Sequence, residues 1–397
     1  MKRFTKFMAL ALIAVMCLGM FVGCAGETNY AANNTEIVIG MSGPLTGGAA
    51  IYGVAVKNSA QMAIDEINAA GGLNGMKFKF VAMDDVHDAT KIATNYASLY
   101  EGGMQISLRT VTTAPGLEFK NLSKDDNVFY LTPSASGDKI PEFDNAYQMC
   151  FADGNQGKVA AEFVNANFAG KTIGAFYKAD EDYSKGIYKQ FKDNLSADIT
   201  VVETSFTDAN ATDFAAQIDT LKDCGFIFMP TYYGPASLFM SQAKDVIAAD
   251  ATYYGCDGFD GIDNIDGFDI TSIPQKVTML SHFNSKDTET QAVVDFVAKY
   301  TEKFGADTLN QFGASAYDCV YAIFGALKKA IDAGKTVTVN MSASDFCEIL
   351  KAEFNAGYTY ENGVTGKSIK WEPTGFVNKQ ATQYVIKEAA PKAEDAE

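Results

Sequence analysis

Five glycines crowd the stretch EIVIGMSGPLTGGAAIYG at residues 36–53: Gly40, Gly43, Gly47, Gly48 and Gly53. An apolar run leads in and a helical pattern leads out. Such a strand, loop and helix can hold phosphate on bare backbone N–H groups. The spacing argues against it. Gly48 is followed by Ala49 rather than the Lys and Ser or Thr of a Walker loop, and Gly40 and Gly43 do not form G-x-G-x-x-G. What remains is a structural turn, or a loop that lays Ser42 and Tyr52 against a small ligand.

Other chemistry is sparse. The two histidines, His87 and His282, stand far apart, which argues against a histidine-built zinc site. The acidic run DGFDGIDNIDGFD hints at calcium. However, an EF-hand begun at Asp260 would put Ile265 where glycine is needed and Thr271 where the closing glutamate belongs. No nucleophile–base pair, metal cluster or cofactor loop is visible, so no catalytic residue, metal or cofactor is expected. Cys150, Cys224, Cys256, Cys319 and Cys347 are irregularly spaced, neither a disulfide framework nor a CxxC site. They read as small buried apolar groups, with a single Cys319–Cys347 pair left open.

Short apolar runs alternate with amphipathic segments along most of the chain. EIVIGM, KFKFVAMDD, MQISLRT, NVFYLTPSAS and AYQMCFAD read as strands. Between the first two, Ala60, Ala63, Ile64 and Ile67 recur at helical spacing until Gly71–Gly72. The alternation restarts after residue 153 with TIGAFY, ITVVETSF, FIFMPTY and TYYGCDG. This order predicts an α/β chain of two doubly wound parallel-sheet lobes, with ligand bound where strand ends face a shared cleft. The first block ends near Cys150–Asp153 and the second near Leu280–His282.

The 397 residues suffice for two such domains, and a net charge of −17 argues against nucleic acid or anionic lipid as partner. Residues 1–24 read as an export signal: Lys2, Arg3 and Lys6 precede an apolar run from Phe7 to Val22. It ends in FVGC, similar to a lipobox with Phe21 where leucine is usual, so that Cys24 would be lipidated; an ordinary cleaved signal is the alternative. Residues 25–35 read as a flexible tether and 389–397 as a disordered tail.

The segments IVIGMSGPLTGGAAIYG, AIDEINAAGGLNG, YLTPSAS, EDYSKG and YYGCDG, in this order, resemble the leucine/isoleucine/valine-binding proteins. These are the type I periplasmic binding proteins of branched-chain amino-acid ABC transporters. The resemblance implies residues 36–151 and 282–365 in an N-terminal lobe, 152–281 and 366–388 in a C-terminal lobe, and a three-segment hinge near Phe151, His282 and Gly366. It implies no enzyme, but lobes that close on an amino acid and dock on the permease and ATPase of an importer. The protein would sit lipid-anchored on the outer face of the cytoplasmic membrane, or in a periplasm.

Carried across by resemblance, Thr110 in LRTVTT falls on the carboxylate-holding loop, and Ser134 and Ser136 in TPSAS on the loop that meets the ammonium. Tyr183, and Tyr232 with Tyr233 as fallback, would contact the ligand from the far lobe. Asp257 stands where the family keeps a glutamate against the ammonium, and Tyr52 and Phe312 would wall the side-chain pocket. The chemistry is coherent, because a zwitterion gives up its hydration only to fixed partners for both charges. Thr110 and Asp257 are therefore expected to face one cavity. His87 and Arg109 stand where relatives often carry a cysteine pair. Arg109 either pairs with Asp84 or Asp85, or faces the cleft and favours a second carboxylate or polar tail. Alternative functions are a ligand-sensing ectodomain-type receptor, a binder of a small organic or aromatic carboxylate or polar amino acid, and an enzyme acting on an exported substrate.

Overall fold

The run IVIGMSG forms β1, Ile37–Gly43, and every residue of it is buried, as a strand covered on both faces requires. The computed structural model describes residues 28–390, so the export signal, Cys24 and the last seven residues lie outside it. With β2 (Phe78–Asp84), β3 (Ile106–Arg109), β4 (Tyr130–Thr132) and β5 (Ala146–Gln148), β1 makes a parallel sheet ordered β2-β1-β3-β4-β5. The connecting helices include α1 (Ala50–Ala69), α2 (Ile92–Glu101) and α3 (Thr113–Asp125). At α1 the loop closes tightly: a Cβ on Gly53 would overlap the Pro44 carbonyl.

After α4 (Asp153–Asn167) the pattern repeats. Strands β6 (Thr172–Lys178), β7 (Thr200–Phe206), β8 (Phe226–Met229), β9 (Thr252–Gly255) and β10 (Lys276–Ser281) form the second sheet. The helices α5 (Asp182–Asp193), α6 (Ala215–Leu221) and α7 (Tyr233–Ala243) connect them. The chain then returns to the first lobe through α8 (Gln291–Phe304), α9 (Gln311–Asp332) and α10 (Ala343–Asn355). Helix α9 packs on α1, where Gly313 lies close enough that a Cβ would come 2.9 Å from Ser59 Oγ. The hydroxyls of Tyr317 and Tyr321 donate to Glu66 at 2.6 and 2.9 Å.

The expected boundaries need two corrections. Placing the third crossing at residue 366 would cut a hairpin, because β11 (Thr359–Gly363) pairs with β12 (Gly366–Lys370). That hairpin stays with the first lobe: Trp371 stacks on Tyr358 and donates Nε1–H to the Gln148 carbonyl at 2.7 Å. The chain crosses later, around buried Lys379, before β13 (Thr382–Lys387) joins β10 as the one antiparallel strand of the second sheet. Nor is the described part of residues 25–35 a free tether. Tyr30 packs edge-on against Tyr100, and Asn34 donates to the Gly103 carbonyl at 2.8 Å. Cys150, Cys224, Cys256, Cys319 and Cys347 are all buried thiols without disulfides.

Gly53→Ala is expected to cost about 1–3 kcal/mol by forcing the Pro44 turn away from α1. The check is a lower midpoint in urea unfolding at unchanged slope.

Candidate functional site

Strand ends and helix starts of both lobes converge on one tight cavity of about 10 Å³. It is lined by Tyr52, Val111, Thr112, Thr113, Ser134, Ser136 and Phe312 from the first lobe, and Tyr183, Tyr232 and Asp257 from the second. Of the nine residues singled out for ligand contact, seven line it; Thr110 and Arg109 do not.

Thr110 is displaced for a local reason. Strand β3 pairs with β1 through an irregularity at Gly40/Met41, and Arg109 ends the strand at φ 60°, in left-handed backbone that breaks the alternation of sides. Thr110 is therefore turned under α3, fully buried, where a Cβ on Gly116 would come 3.0 Å from its Oγ1. Thr112 and Thr113, two and three residues further on in the same LRTVTT stretch, face the cavity instead. Thr112 is the N-cap of α3 in extended backbone, so the positive end of a 13-residue helix opens at this wall. The Thr113 N–H reaches the Tyr232 hydroxyl, and Thr113 Oγ1 is buried with no hydrogen-bond partner among the described residues.

Arg109 neither faces the cavity nor pairs with Asp84 or Asp85. Its guanidinium donates to the carbonyls of Ile140, at 3.2 Å, and Gly116, and lies 4.1 Å from the centre of the Tyr130 ring. Burial lowers its pKa to about 10, still far above neutrality. It ties the Ile140 loop to α3 from beneath.

At the other wall Asp257 is 1% exposed. Its Oδ1 accepts from the Tyr183 hydroxyl at 2.6 Å and Gln156 Nε2 at 2.9 Å, and its own N–H donates to Gln156 Oε1 at 2.9 Å. Its Oδ2 is buried with no partner among the described residues. Burial pushes the carboxyl up to about 6, against the pull of the Tyr183 and Gln156 hydrogen bonds. Gly258 must lack a side chain, since a Cβ would come 2.8 Å from the Tyr183 hydroxyl.

Aromatic rings fill the space between these walls. Tyr232 stacks on Tyr183 at 4.5 Å with 6° between the planes, and Phe312 meets Tyr52 edge-on at 4.9 Å. The Tyr52 hydroxyl donates across the cleft to the Gly258 carbonyl at 2.5 Å, joining the lobes. Tyr233 packs behind Tyr52 at 4.8 Å and does not line the cavity, so the register that favours Tyr232 is the one found. Ser134 Oγ donates to the Val111 carbonyl at 2.7 Å. Ser136 hydrogen-bonds the Asp153 carboxyl, which burial, and then the nearby charge of Asp257, push upward.

Three residues at or behind the walls escaped sequence reading. Thr112 and Thr113 sit in the stretch already chosen, and only the bulge conceals their register. Gln156 carries no sequence signal, being one polar residue in the first turn of α4 that meets Asp257 across 101 positions. Together the two walls offer buried donors at a helix start and a buried, half-matched carboxylate, an arrangement suited to a small dipolar guest.

The family model described as "Periplasmic binding protein" matches residues 36–390. The chain belongs to this family. This periplasmic binding protein is 28% identical over 317 residues to the "Leucine-, isoleucine-, valine-, threonine-, and alanine-binding protein" of Pseudomonas aeruginosa, covering 78% of this chain and 82% of that one. Its fold is that of the branched-chain amino acid transporter substrate binding protein LivJ from Streptococcus pneumoniae, solved with isoleucine, at TM-score 0.72 and 23% identity over 88% and 99% of the two chains. It is equally that of an ABC-transporter solute binding protein from Rhodopseudomonas palustris BisB5, solved with 3,4-dihydroxy benzoic acid, at TM-score 0.73 and 18% identity over 89% and 93%. The relative is thus a binding protein by name, and the family is extracytoplasmic. Among the described residues no helix is long and apolar enough to cross a membrane.

Arg109→Met keeps much of the buried volume but leaves two carbonyls unmatched. It is expected to lower the thermal unfolding midpoint by several degrees. Affinity for any ligand of the cleft should stay within about threefold, as calorimetry on the folded variant would show.

Proposed function

We propose that this protein is the solute-binding component of an ABC importer, and that its cleft takes an amino acid, with apolar and branched side chains first. The observation that carries the reading is Asp257 Oδ2, a buried oxygen on a carboxylate with one side already satisfied. A ligand ammonium completes it. At the far wall the ligand carboxylate would meet the start of α3, with the Thr113 hydroxyl and N–H, Thr112, and the TPSAS loop bearing Ser134 and Ser136. The apolar part would lie among Tyr52, Tyr183, Tyr232 and Phe312.

The cavity is narrow, and Tyr232 stands with its hydroxyl at the Thr113 N–H, where the ligand carboxylate would sit. Entry therefore requires Tyr232 to swing aside as the lobes part, with the hinge segments near Phe151, His282 and Lys379 taking up the rotation. Because the ligand bridges both walls, its binding energy is available only in the closed form, and this draws the equilibrium toward closure. Closure would present one joined surface to a membrane permease and its ATPase. Acylated Cys24 would hold the protein at the membrane.

A small aromatic carboxylate is the second reading, prompted by the benzoic-acid complex of the Rhodopseudomonas palustris protein and by the stacked Tyr183–Tyr232 rings. Such a ligand would suit the start of α3 but offer nothing to Asp257. The amino acid accounts for both walls.

Titration calorimetry with leucine, isoleucine, valine, threonine, alanine, benzoate and 3,4-dihydroxybenzoate separates the readings. At least one amino acid should bind and the benzoates should not; the reverse would replace the first reading with the second. Asp257→Asn should weaken amino-acid binding by 100-fold or more. In the wild type, binding an ammonium requires the ionised carboxylate. The contribution of Asp257 to affinity should therefore be lost as pH falls below about 6, by about tenfold per unit.

A further inference from the structure

His87 joins the lobes at the edge of the cleft with both ring nitrogens engaged. Nδ1 lies 2.9 Å from Thr112 Oγ1, and Nε2 lies 3.1 Å from Glu181 Oε1, on the loop that enters α5. The ring also meets Tyr232 edge-on at 5.2 Å. The backbone is held there against its preference, with Val86 at φ 48° and His87 at φ 65°. Buried Asp85 accepts the His87 N–H at 2.9 Å and is fixed by the Ser42 hydroxyl at 3.0 Å. The Glu181 side chain is 6% exposed, and its Oε2 has no partner among the described residues.

These partners decide which nitrogen carries a proton. A carboxylate only accepts, so Nε2–H donates to Glu181. In the neutral ring Nδ1 is then an acceptor and takes the hydroxyl proton of Thr112. Thr112 turns only lone pairs toward the cavity, which repel a ligand carboxylate. In the imidazolium Nδ1–H donates to Thr112 Oγ1, and the hydroxyl proton of Thr112 is released toward the cavity.

We propose that His87 is a proton-linked positioning residue: when it takes a proton from solvent, paired with Glu181 across the closed cleft, it converts Thr112 into a hydrogen-bond donor for the ligand carboxylate. This rests on the amino-acid reading above. The other titratable or charged groups facing the pair are Asp85 and Asp88 on its own loop, Tyr232 at the start of α7, and Lys178 behind Glu181. The sign follows from the partner gained. Only the protonated ring frees the Thr112 hydroxyl proton for the ligand carboxylate, so a bound carboxylate favours the protonated form. Affinity then rises as pH falls through the imidazole range and is lost above it. This is the limb opposite to that of Asp257, and the two make a bell-shaped profile.

With only His87 and His282 in the sequence, the imidazole ¹⁵N and ¹H signals of the full protein can be assigned with a His87→Gln variant. Glu181→Gln should reduce the rise in the His87 midpoint that saturating L-isoleucine produces in the wild type; an undiminished rise overturns the proposal. With saturating L-isoleucine the midpoint should rise by about one unit, and affinity should drop about tenfold from pH 6 to pH 8. His87→Gln should flatten that alkaline limb while keeping the acid limb of Asp257. Binding of isoleucine with no midpoint shift and no alkaline limb also overturns the proposal. If no amino acid binds at any pH, the amino-acid reading fails; if isoleucine binds and Glu181→Gln leaves the midpoint rise unchanged, this proposal alone fails.

Discussion

One unmatched oxygen governs the site. Asp257 is almost wholly buried, yet among the described residues only Oδ1 is met by side-chain donors, from Tyr183 and Gln156. A carboxylate held this way resists ionisation and is left incomplete when ionised. On the proposed reading, whatever enters the cleft would be judged first by whether it can supply positive charge there. A helix N-terminus on the opposite wall asks for the opposite charge, and the two demands together describe a dipole of fixed orientation. Specificity would come from this polarity, and the aromatic rings between the walls set what shape of apolar body can accompany it.

The same geometry ties recognition to motion. The walls belong to different lobes, built on different sheets, and the chain passes between them three times. The lobes also touch without any guest, through the Tyr52 hydroxyl on the Gly258 carbonyl and through Asp260 accepting the Gln311 N–H at the start of α9. Both contacts are short and directional. They would give closure a preferred register and leave the decisive stabilisation to a ligand that spans the gap. His87 and Glu181 make a third contact of this kind, at 3.1 Å.

Much of this was legible in the sequence, and the parts that were not have identifiable causes. Strand and helix alternation is a local property, so the two parallel sheets and the restart after residue 153 could be read directly. Of the seven expected contacts that line the cavity, Tyr52, Ser134, Ser136, Tyr183 and Asp257 sit in short stretches whose order resembles the family's. Thr110 misled because a bulge and one left-handed residue, Arg109, shift the side that follows, and neither leaves a mark in residue type. Arg109 itself is satisfied by carbonyl groups and a tyrosine face, partners that no charge count in a sequence reveals. Gln156 and Glu181 matter through partners 101 and 94 positions away, a distance at which one sequence alone carries no pairing information. The hairpin Thr359–Lys370 was divided because its strands are short and polar, which periodicity reads weakly.

The central claim is that the two walls receive the two ends of one zwitterion. A crystal structure of the protein with bound isoleucine tests it most directly. The account predicts the ammonium within hydrogen-bond distance of Asp257 Oδ2 and the carboxylate at the Thr113 N–H, with Tyr232 moved from its place against that amide. An isoleucine bound in the reverse sense, or outside the space between Asp257 and the start of α3, would contradict it.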